Sequence, residues 1–390
     1  MLQDLVISYN WILRQDFKFI LDHLKHLKHL TIFAPFGSEM NILDDISNSK
    51  CQLQSFKFGR HQKGKKLNKR AILEFLKTQH EEIESLDMTD WMRSLHINER
   101  LDVFAYFRNC KKLKTLKIHF KDIDGRSSLA HPTEGGLKDD EFWAVLVDNL
   151  PKAQIKDFTI DFCGVDYNND NYLTQIVCNE SWFMWLKNIP VDMKVRFKDL
   201  QMKYFEMEDQ PSIPTGLFKQ VVEIDNLKLV SGSIIQWMIK SDWRDLEKLT
   251  MNVSYLANPT FVGIPPQTIN WCIEFPNLRE ATLNIGEHHF FYSSFMGIIL
   301  GSKHLENLNI CFKDENAIRR FNEVDFEDQL QTVKSLNLKM LSITCSTRRQ
   351  PMPYKSFLSL VKKCPDLKQI NFDLSPEQIQ VFQELGFIKV

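Results

Sequence analysis

Leu113-Lys-Thr-Leu116-Lys-Ile118 decides how this chain folds. Its three apolar residues follow the spacing apolar-x-x-apolar-x-apolar. Leu116 and Ile118 are two apart, so a strand points both to one side and sends Lys117 to the other. Leu113, three residues ahead of Leu116, marks the turn that enters the strand. The spacing recurs in both directions. Toward the N-terminus it reads Ile83-Leu86-Met88, Leu53-Phe56-Phe58, Leu27-Leu30-Ile32 and Leu2-Leu5-Ile7. Toward the C-terminus it reads Ile155-Phe158-Ile160, Ile224-Leu227-Leu229, Leu246-Leu249-Met251, Leu278-Ala281-Leu283, Leu305-Leu308-Ile310, Leu338-Leu341-Ile343 and Leu367-Ile370-Phe372.

The interval from Ile155 to Ile224 is double the usual step, and a degenerate repeat is expected inside it, near Val195 and Phe197. Counting that one, the mean period is about 30 residues, within the leucine-rich range. One repeat cannot bury its own apolar side, so neighbours must stack, with parallel strands joined by crossovers. The predicted fold is therefore α/β: a leucine-rich-repeat solenoid with a curved parallel sheet, outer helices and about 13 irregular repeats. It is expected to occupy residues 1–390, with the degenerate repeat around 161–223 and an inserted, Gly/Ser/Pro-containing loop at 121–136.

Crossover helices are legible at 3.6-residue spacing. Asn68 to Gln79 places Ile72, Leu73, Phe75 and Leu76 on one face, and Asp139 to Asn149 does so with Phe142, Trp143, Val145, Leu146 and Val147. Tyr354 to Lys362 does so with Phe357, Leu358, Leu360 and Val361. Ser375-Pro376-Glu377 reads as a capped helix start and Gly386 as its stop. Trp182, Phe183 and Trp185 crowd the degenerate repeat, where core filling is the expectation and a partner anchor the alternative.

Composition narrows the function classes. Apolar residues make up 43%, enough for a large core, and a net charge of -1 argues against binding nucleic acid or membrane through whole-chain charge. The first 120 residues nevertheless hold 20 Lys+Arg against 14 Asp+Glu, a net +6, and seven of the 11 histidines. Arg60 to Arg70 is the densest basic stretch, without the interleaved aromatics that stack bases. A nucleic-acid-associated protein using this basic third is the alternative reading. The eight cysteines contain no Cys-x-x-Cys pair and read as buried reduced thiols. With no signal-like segment at Met1 and no long apolar run, a cytoplasmic or nuclear location is expected, no membrane partner, and the sequons at Asn179 and Asn252 are taken as chance.

No Gly-rich phosphate loop, nucleophile elbow or kinase motif set is present, so no enzyme activity, catalytic residue or cofactor is expected. His23, His26 and His29 are three apart, but His29 belongs to a strand. Asp122-x-Asp124-Gly125 lacks the rest of an EF-hand loop, as does the Asp166, Asn168, Asp170 alternation. No metal is expected.

The candidate site is the concave face, formed by residues between and beside the apolar strand positions. It is polar and mixed in charge. The protein-binding candidates are His29, Lys57, Asp87, Lys117, His119, Asp157, Asp161, Lys228, Lys248, Asn284 and Asn309. Solvated strand surface is the bland alternative for any one of them.

The lead-ins Cys110-Lys-Lys-Leu113, Phe275-Pro-Asn-Leu278 and Cys364-Pro-Asp-Leu367 resemble the irregular repeats of F-box leucine-rich-repeat proteins. So does Ile72-Leu-Glu-Phe-Leu-Lys-Thr-Gln79 followed by Ile83-Glu-Ser-Leu86. The resemblance implies a substrate-recognition module of a ubiquitin-ligase adaptor, with a protein held by the repeats. No F-box is evident, since a repeat strand is expected already at Leu2, so docking on ligase subunits is expected only if an F-box is supplied upstream. The asparagine that often follows the strand occurs as Asn10, and a cysteine in that place as Cys163. The turns are therefore expected to satisfy their backbone groups differently from repeat to repeat.

Overall fold

The computed structural model describes residues 2–8, 14–34, 39–60, 69–92, 95, 97–119, 154–162, 176–177, 180–203, 218–229, 242–252, 275–286, 302–313, 335–345, 359–372, 380 and 383. The chain forms two compact units. The first is Met1–Thr174 with Asn179–Lys198, and the second is Gln175–Cys178 with Asp199–Val390.

In the first unit, β1 (Asp4–Ser8), β2 (His29–Ala34), β3 (Ser55–Arg60), β4 (Ser85–Asp87), β5 (Thr115–His119), β6 (Asp157–Asp161) and β8 (Lys194–Lys198) pair side by side, all parallel. Chain order and spatial order coincide, as stacking of successive repeats requires. The apolar positions align in layers. Leu27, Leu53, Ile83, Leu113, Ile155 and Met193 form the lead-in layer, and all are buried. Leu30, Phe56, Leu86, Leu116, Phe158 and Val195 form the next, and Ile32, Phe58, Met88, Ile118, Ile160 and Phe197 the third, again all buried. Val195 and Phe197 are the expected strand of the degenerate repeat.

Helices α1 (Arg14–His23), α2 (Glu39–Ser47), α3 (Lys69–Gln79) and α5 (Ile97–Phe107) pack one against the next outside this core. α3 agrees with the expected Asn68–Gln79 helix and buries Ala71, Ile72, Phe75 and Leu76. A short α4 (Thr89–Met92) carries Trp91 inward, where it meets Phe56 and Phe75 edge-on at 5.3 and 5.4 Å between ring centres. α6 (Glu180–Asn188) brings Trp185 against Phe158 and Phe197, so this tryptophan fills core. The side chains of the other two aromatics of that cluster, the loop at 121–136 and the helix expected over Asp139–Asn149 lie outside the described residues, and of the helix expected after Ser375 only Gln380 and Gln383 are described, both helical. Residues 359–362, the described end of the Tyr354–Lys362 segment, are helical, with Leu360 and Val361 buried.

In the second unit, β10 (Val221–Leu229), β11 (Lys248–Asn252), β12 (Glu280–Ile285), β13 (Asn307–Phe312), β14 (Met340–Cys345) and β15 (Gln369–Phe372) again pair in parallel and in chain order. Two short strands, β7 (Ile176–Val177) and β9 (Gln201–Lys203), pair with each other, and β9 also pairs with β10. Each unit is thus an open parallel sheet of the leucine-rich-repeat solenoid class, α/β in the first unit where the crossover helices are described.

One repeat is corrected. The spacing Ile224-x-x-Leu227-x-Leu229 suggests Ile224 as a lead-in, but Ile224 aligns with Leu249 and Leu227 with Met251. Both are therefore strand-core positions, and the lead-in is Val221, whose N–H donates to Phe218 O at 2.9 Å. The cause is a bulge between Ile224 and Leu227. It holds one extra residue, so two neighbouring core positions acquire the spacing of a turn. Asn226 takes the left-handed conformation there, with φ of 60°, and its amide donates to the Asp199 carboxylate.

Strand entry is held in the same way at most of the described repeats of both units, the entry of β8 being an exception, where Lys156 O takes Lys194 N and Met193 N turns to Pro190 O. The carbonyl of the residue just before one strand accepts two N–H groups from the next repeat. Glu84 O takes Lys114 N and Thr115 N at 2.8 and 3.0 Å, and Arg279 O takes Glu306 N and Asn307 N, both at 2.9 Å. The expected variety at the strand exits lies mostly outside the described residues, but most entries share one backbone solution. Repeat 3 adds a side chain to it. Gln79 is 1% exposed, its carbonyl oxygen accepts from Leu53 N at 2.8 Å, and its amide donates to Cys51 O at 3.1 Å.

Among the described residues no helix is long and apolar enough to cross a membrane. Cys51, Cys110 and Cys364 are buried free thiols and Cys311 is half-buried. Burial pushes the Cys110 and Cys364 thiols up to about 12.

Candidate protein-binding face

The side chains that alternate with the core layers project from the sheet away from the helices, and strand register sorts them into rows. In the first unit the entry row runs Asp4, His29, Ser55, Ser85, Thr115, Asp157 and Lys194. The middle row runs Val6, Thr31, Lys57, Asp87, Lys117, Thr159 and Arg196. In the second unit the entry row runs Glu223, Lys248, Glu280, Asn307, Met340 and Gln369, and the middle row Thr250, Thr282, Asn309, Ser342 and Asn371.

The two middle rows differ in chemistry. In the first unit, Lys57 and Lys117 both approach Asp87 Oδ2, at 3.9 and 3.8 Å. Asp157 is bound by Arg196 at 2.6 Å. In the second unit the row is uncharged. Asn309 donates to Thr282 Oγ1 at 3.3 Å and Asn371 to Ser342 Oγ at 3.5 Å. Lys248 stands between Glu223 and Glu280 in the entry row, 3.7 Å from each.

Of the expected site residues, Lys57, Asp87 and Lys117 are thus brought together. His29 lies exposed in the entry row beside Ser55. Asp157 is one strand from Lys117's strand, and Asp161 is half-buried at the end of β6. Lys228 and Asn284 occupy the same exit row as Asn252, and Asn309 the middle row. The sequon residue Asn252 is 8% exposed.

His119 is a correction. It is fully buried, not displayed. An evenly exposed face requires strands of equal length, but β4 stops at Asp87. The chain turns at Met88, whose N–H donates to Lys117 O at 2.8 Å, into α4, which packs against β5. Thr159 is buried as well, between the long side chains of Lys117 and Arg196 in adjacent strands.

Arg196 and Phe33 were missed in the sequence. Arg196 sits in the degenerate repeat, and assigning Val195 and Phe197 to a strand would have placed it on this face. Phe33 extends the row of His29 and Thr31, and its ring lies over Gly59. A Cβ on Gly59 would stand 2.7 Å from Phe33 Cδ1.

Beside the face, along the turns entering the strands, acid and base pair one to one. Lys112 meets Glu82 and Lys114 meets Glu84, both at 2.7 Å, and Lys339 meets Glu306 at 2.9 Å. The Lys114 and Lys339 ammoniums hold the Glu84 and Glu306 carboxyls below the usual range. Among the described residues no three His, Cys, Asp or Glu side chains converge as metal ligands. His23 ends α1, with its Nδ1 2.8 Å from Phe19 O, and His26 lies in the following turn.

No family model matches the chain, and no curated protein is similar to it. Among solved structures, a chain of the crystal structure of the Rad7 and Elc1 complex in yeast is similar in outline. The identity is 12% and the TM-score 0.43, over 94% of this chain and 80% of that one.

Proposed function

We propose that this chain is a non-catalytic scaffold that holds a partner protein on the sheet face away from its helices. The observation that carries the reading is the division of each strand. Its apolar core residues are mostly buried in the stacked layers, while its alternate residues line up across neighbouring strands as rows that are polar except at Val6 and Met340. Rigid parallel strands fix the spacing of these groups, which suits hydrogen-bonded and charge-assisted recognition of a protein surface. The finer reading is a substrate-recognition module of an F-box-type ubiquitin-ligase adaptor in the cytoplasm or nucleus. It rests on the lead-ins Cys110-Lys-Lys-Leu113, Phe275-Pro-Asn-Leu278 and Cys364-Pro-Asp-Leu367.

Photo-cross-linking in the native cell tests the scaffold reading. A cross-linking residue at Thr31 or Asn309 is expected to form a discrete protein adduct. The same residue at Lys77, exposed on α3, is expected to form none. Adducts from Lys77 alone would move the binding surface to the helices. Recovery of ligase subunits with the adduct supports the finer reading, and their absence from an upstream-extended chain removes it.

A further inference from the structure

We propose that Lys57 and Lys117 receive an acidic segment of the partner protein, seating one of its carboxylates between their ammonium groups. The proposal rests on the reading of this sheet face as the binding face and names the chemistry of what it binds.

Lys57, Asp87 and Lys117 lie in register on three adjacent strands. Both lysines turn toward one oxygen, Asp87 Oδ2, at 3.9 and 3.8 Å. The Asp87 side chain is 17% exposed, and those of the lysines 49% and 42%. The carboxylate therefore forms a floor from which two ammoniums project. Both distances exceed those of a close charge-assisted hydrogen bond, about 2.7–2.9 Å. Each ammonium keeps N–H groups for a second acceptor.

A few residues away on the same chain, the arrangement is different. Lys112 and Lys114 each have a glutamate of their own, at 2.7 Å. On the face, one carboxylate serves two lysines, which leaves a net charge of +1. The ammoniums stand within about 8 Å of each other and repel. An incoming carboxylate between them would complete an alternating square of charges and relieve that repulsion.

Charge complementarity also selects the class of partner. Asp161 flanks the same row on β6 and Asp4 lies in the entry row on β1, while Asp157 is already held by Arg196. A run of closely spaced phosphates would meet these carboxylates, whereas a peptide delivers its acid at one point and can set other residues beside them. A protein segment fits this pattern better than a nucleic acid.

The test is a titration of the full chain with a labelled short oligoglutamate peptide, with oligolysine and a single-stranded oligonucleotide as comparisons. Oligoglutamate is expected to bind best, and more weakly as salt rises. Lys57→Gln and Lys117→Gln should each weaken it about three- to five-fold, as removal of an exposed ion pair does. Asp87→Asn should tighten it by a similar factor, because the competing carboxylate is gone. Lys112→Gln should leave it unchanged, and circular dichroism should show all four variants folded. Absence of oligoglutamate binding, equal affinity across the variants, weakening by Asp87→Asn or a preference for the oligonucleotide would overturn the proposal. If oligoglutamate fails while adducts still form from Thr31, the acidic segment alone is wrong. If both fail, the binding face itself is wrong.

Discussion

Replacing Gln79 by alanine should cost the first unit about 2–4 kcal/mol, far more than a surface glutamine normally would. Gln79 closes α3, yet it is 1% exposed and spends both ends of its amide on the backbone of repeat 3. Truncation leaves Leu53 N–H and Cys51 C=O without those partners, between two residues that are themselves fully buried. Each orphaned buried group costs about 1–3 kcal/mol, and the shed side-chain entropy offsets part of the sum. Gln79→Glu sharpens the test. The protonated acid has the shape of the amide and can donate to Cys51 O, but the ionised form cannot, and its burial is costly. The introduced carboxyl is therefore expected to titrate above its ordinary range. Such a group contributes stability fully below its unfolded pKa and loses it as pH rises through the raised folded value. The variant should approach wild type near pH 4 and fall away from it toward pH 8. Denaturant unfolding across that range measures the difference, and hydrogen exchange of the peptide containing Leu53 localises it. A loss below 0.5 kcal/mol for Gln79→Ala, about the size of an ordinary surface change, together with a pH-independent Gln79→Glu, would refute the reasoning.

Core and surface of one strand should separate cleanly. Leu116→Ala and Leu308→Ala remove fully buried side chains and should cost about 2–5 kcal/mol, with Leu308 toward the upper end because its neighbour in the layer is the small Ala281. Thr115→Ala, half-buried on the opposite face, should cost little, and equal losses in thermal unfolding would contradict the register. Arg14→Ala should cost about 1–3 kcal/mol, since it strips both 2.9 Å contacts from Asp45, whose side chain is 1% exposed, while Arg14 itself is half-exposed. Arg14→Lys should recover only part of that in the same assay, because an ammonium cannot make the forked pair. Cys110 and Cys364, held at about 12 by burial against an ordinary 9.0, should resist alkylation at pH 8 until the protein is unfolded. Their raised values should also make stability fall between pH 9 and 12, as unfolding releases thiols that ionise more readily. Rapid labelling of the native protein, read by mass spectrometry, would contradict this.

Much of the layout of the candidate face was legible because its rows follow from alternation alone. Once Leu116 and Ile118 face the core, Lys117 must face away, and Lys57 and Asp87 follow by the same step in their own repeats. His119 obeys the same alternation and still fails as a surface residue, because exposure depends on the length of the strand beside it. The convergence of Lys57 and Lys117 on one carboxylate is likewise a property of register between repeats about 30 residues apart.

By itself, the sequence determined the period, most strand cores and, outside β10, the side of the sheet on which strand residues lie. Those depend on spacing within a few residues, and spacing is written directly in the chain. Tertiary structure decided the rest: the bulge that shifts β10, the burial of His119 on β5 where α4 packs beyond the end of β4, Gln79 as a buried clasp, and the division into two compact units. Each depends on which atoms of other repeats arrive beside a residue, and local spacing carries no record of that.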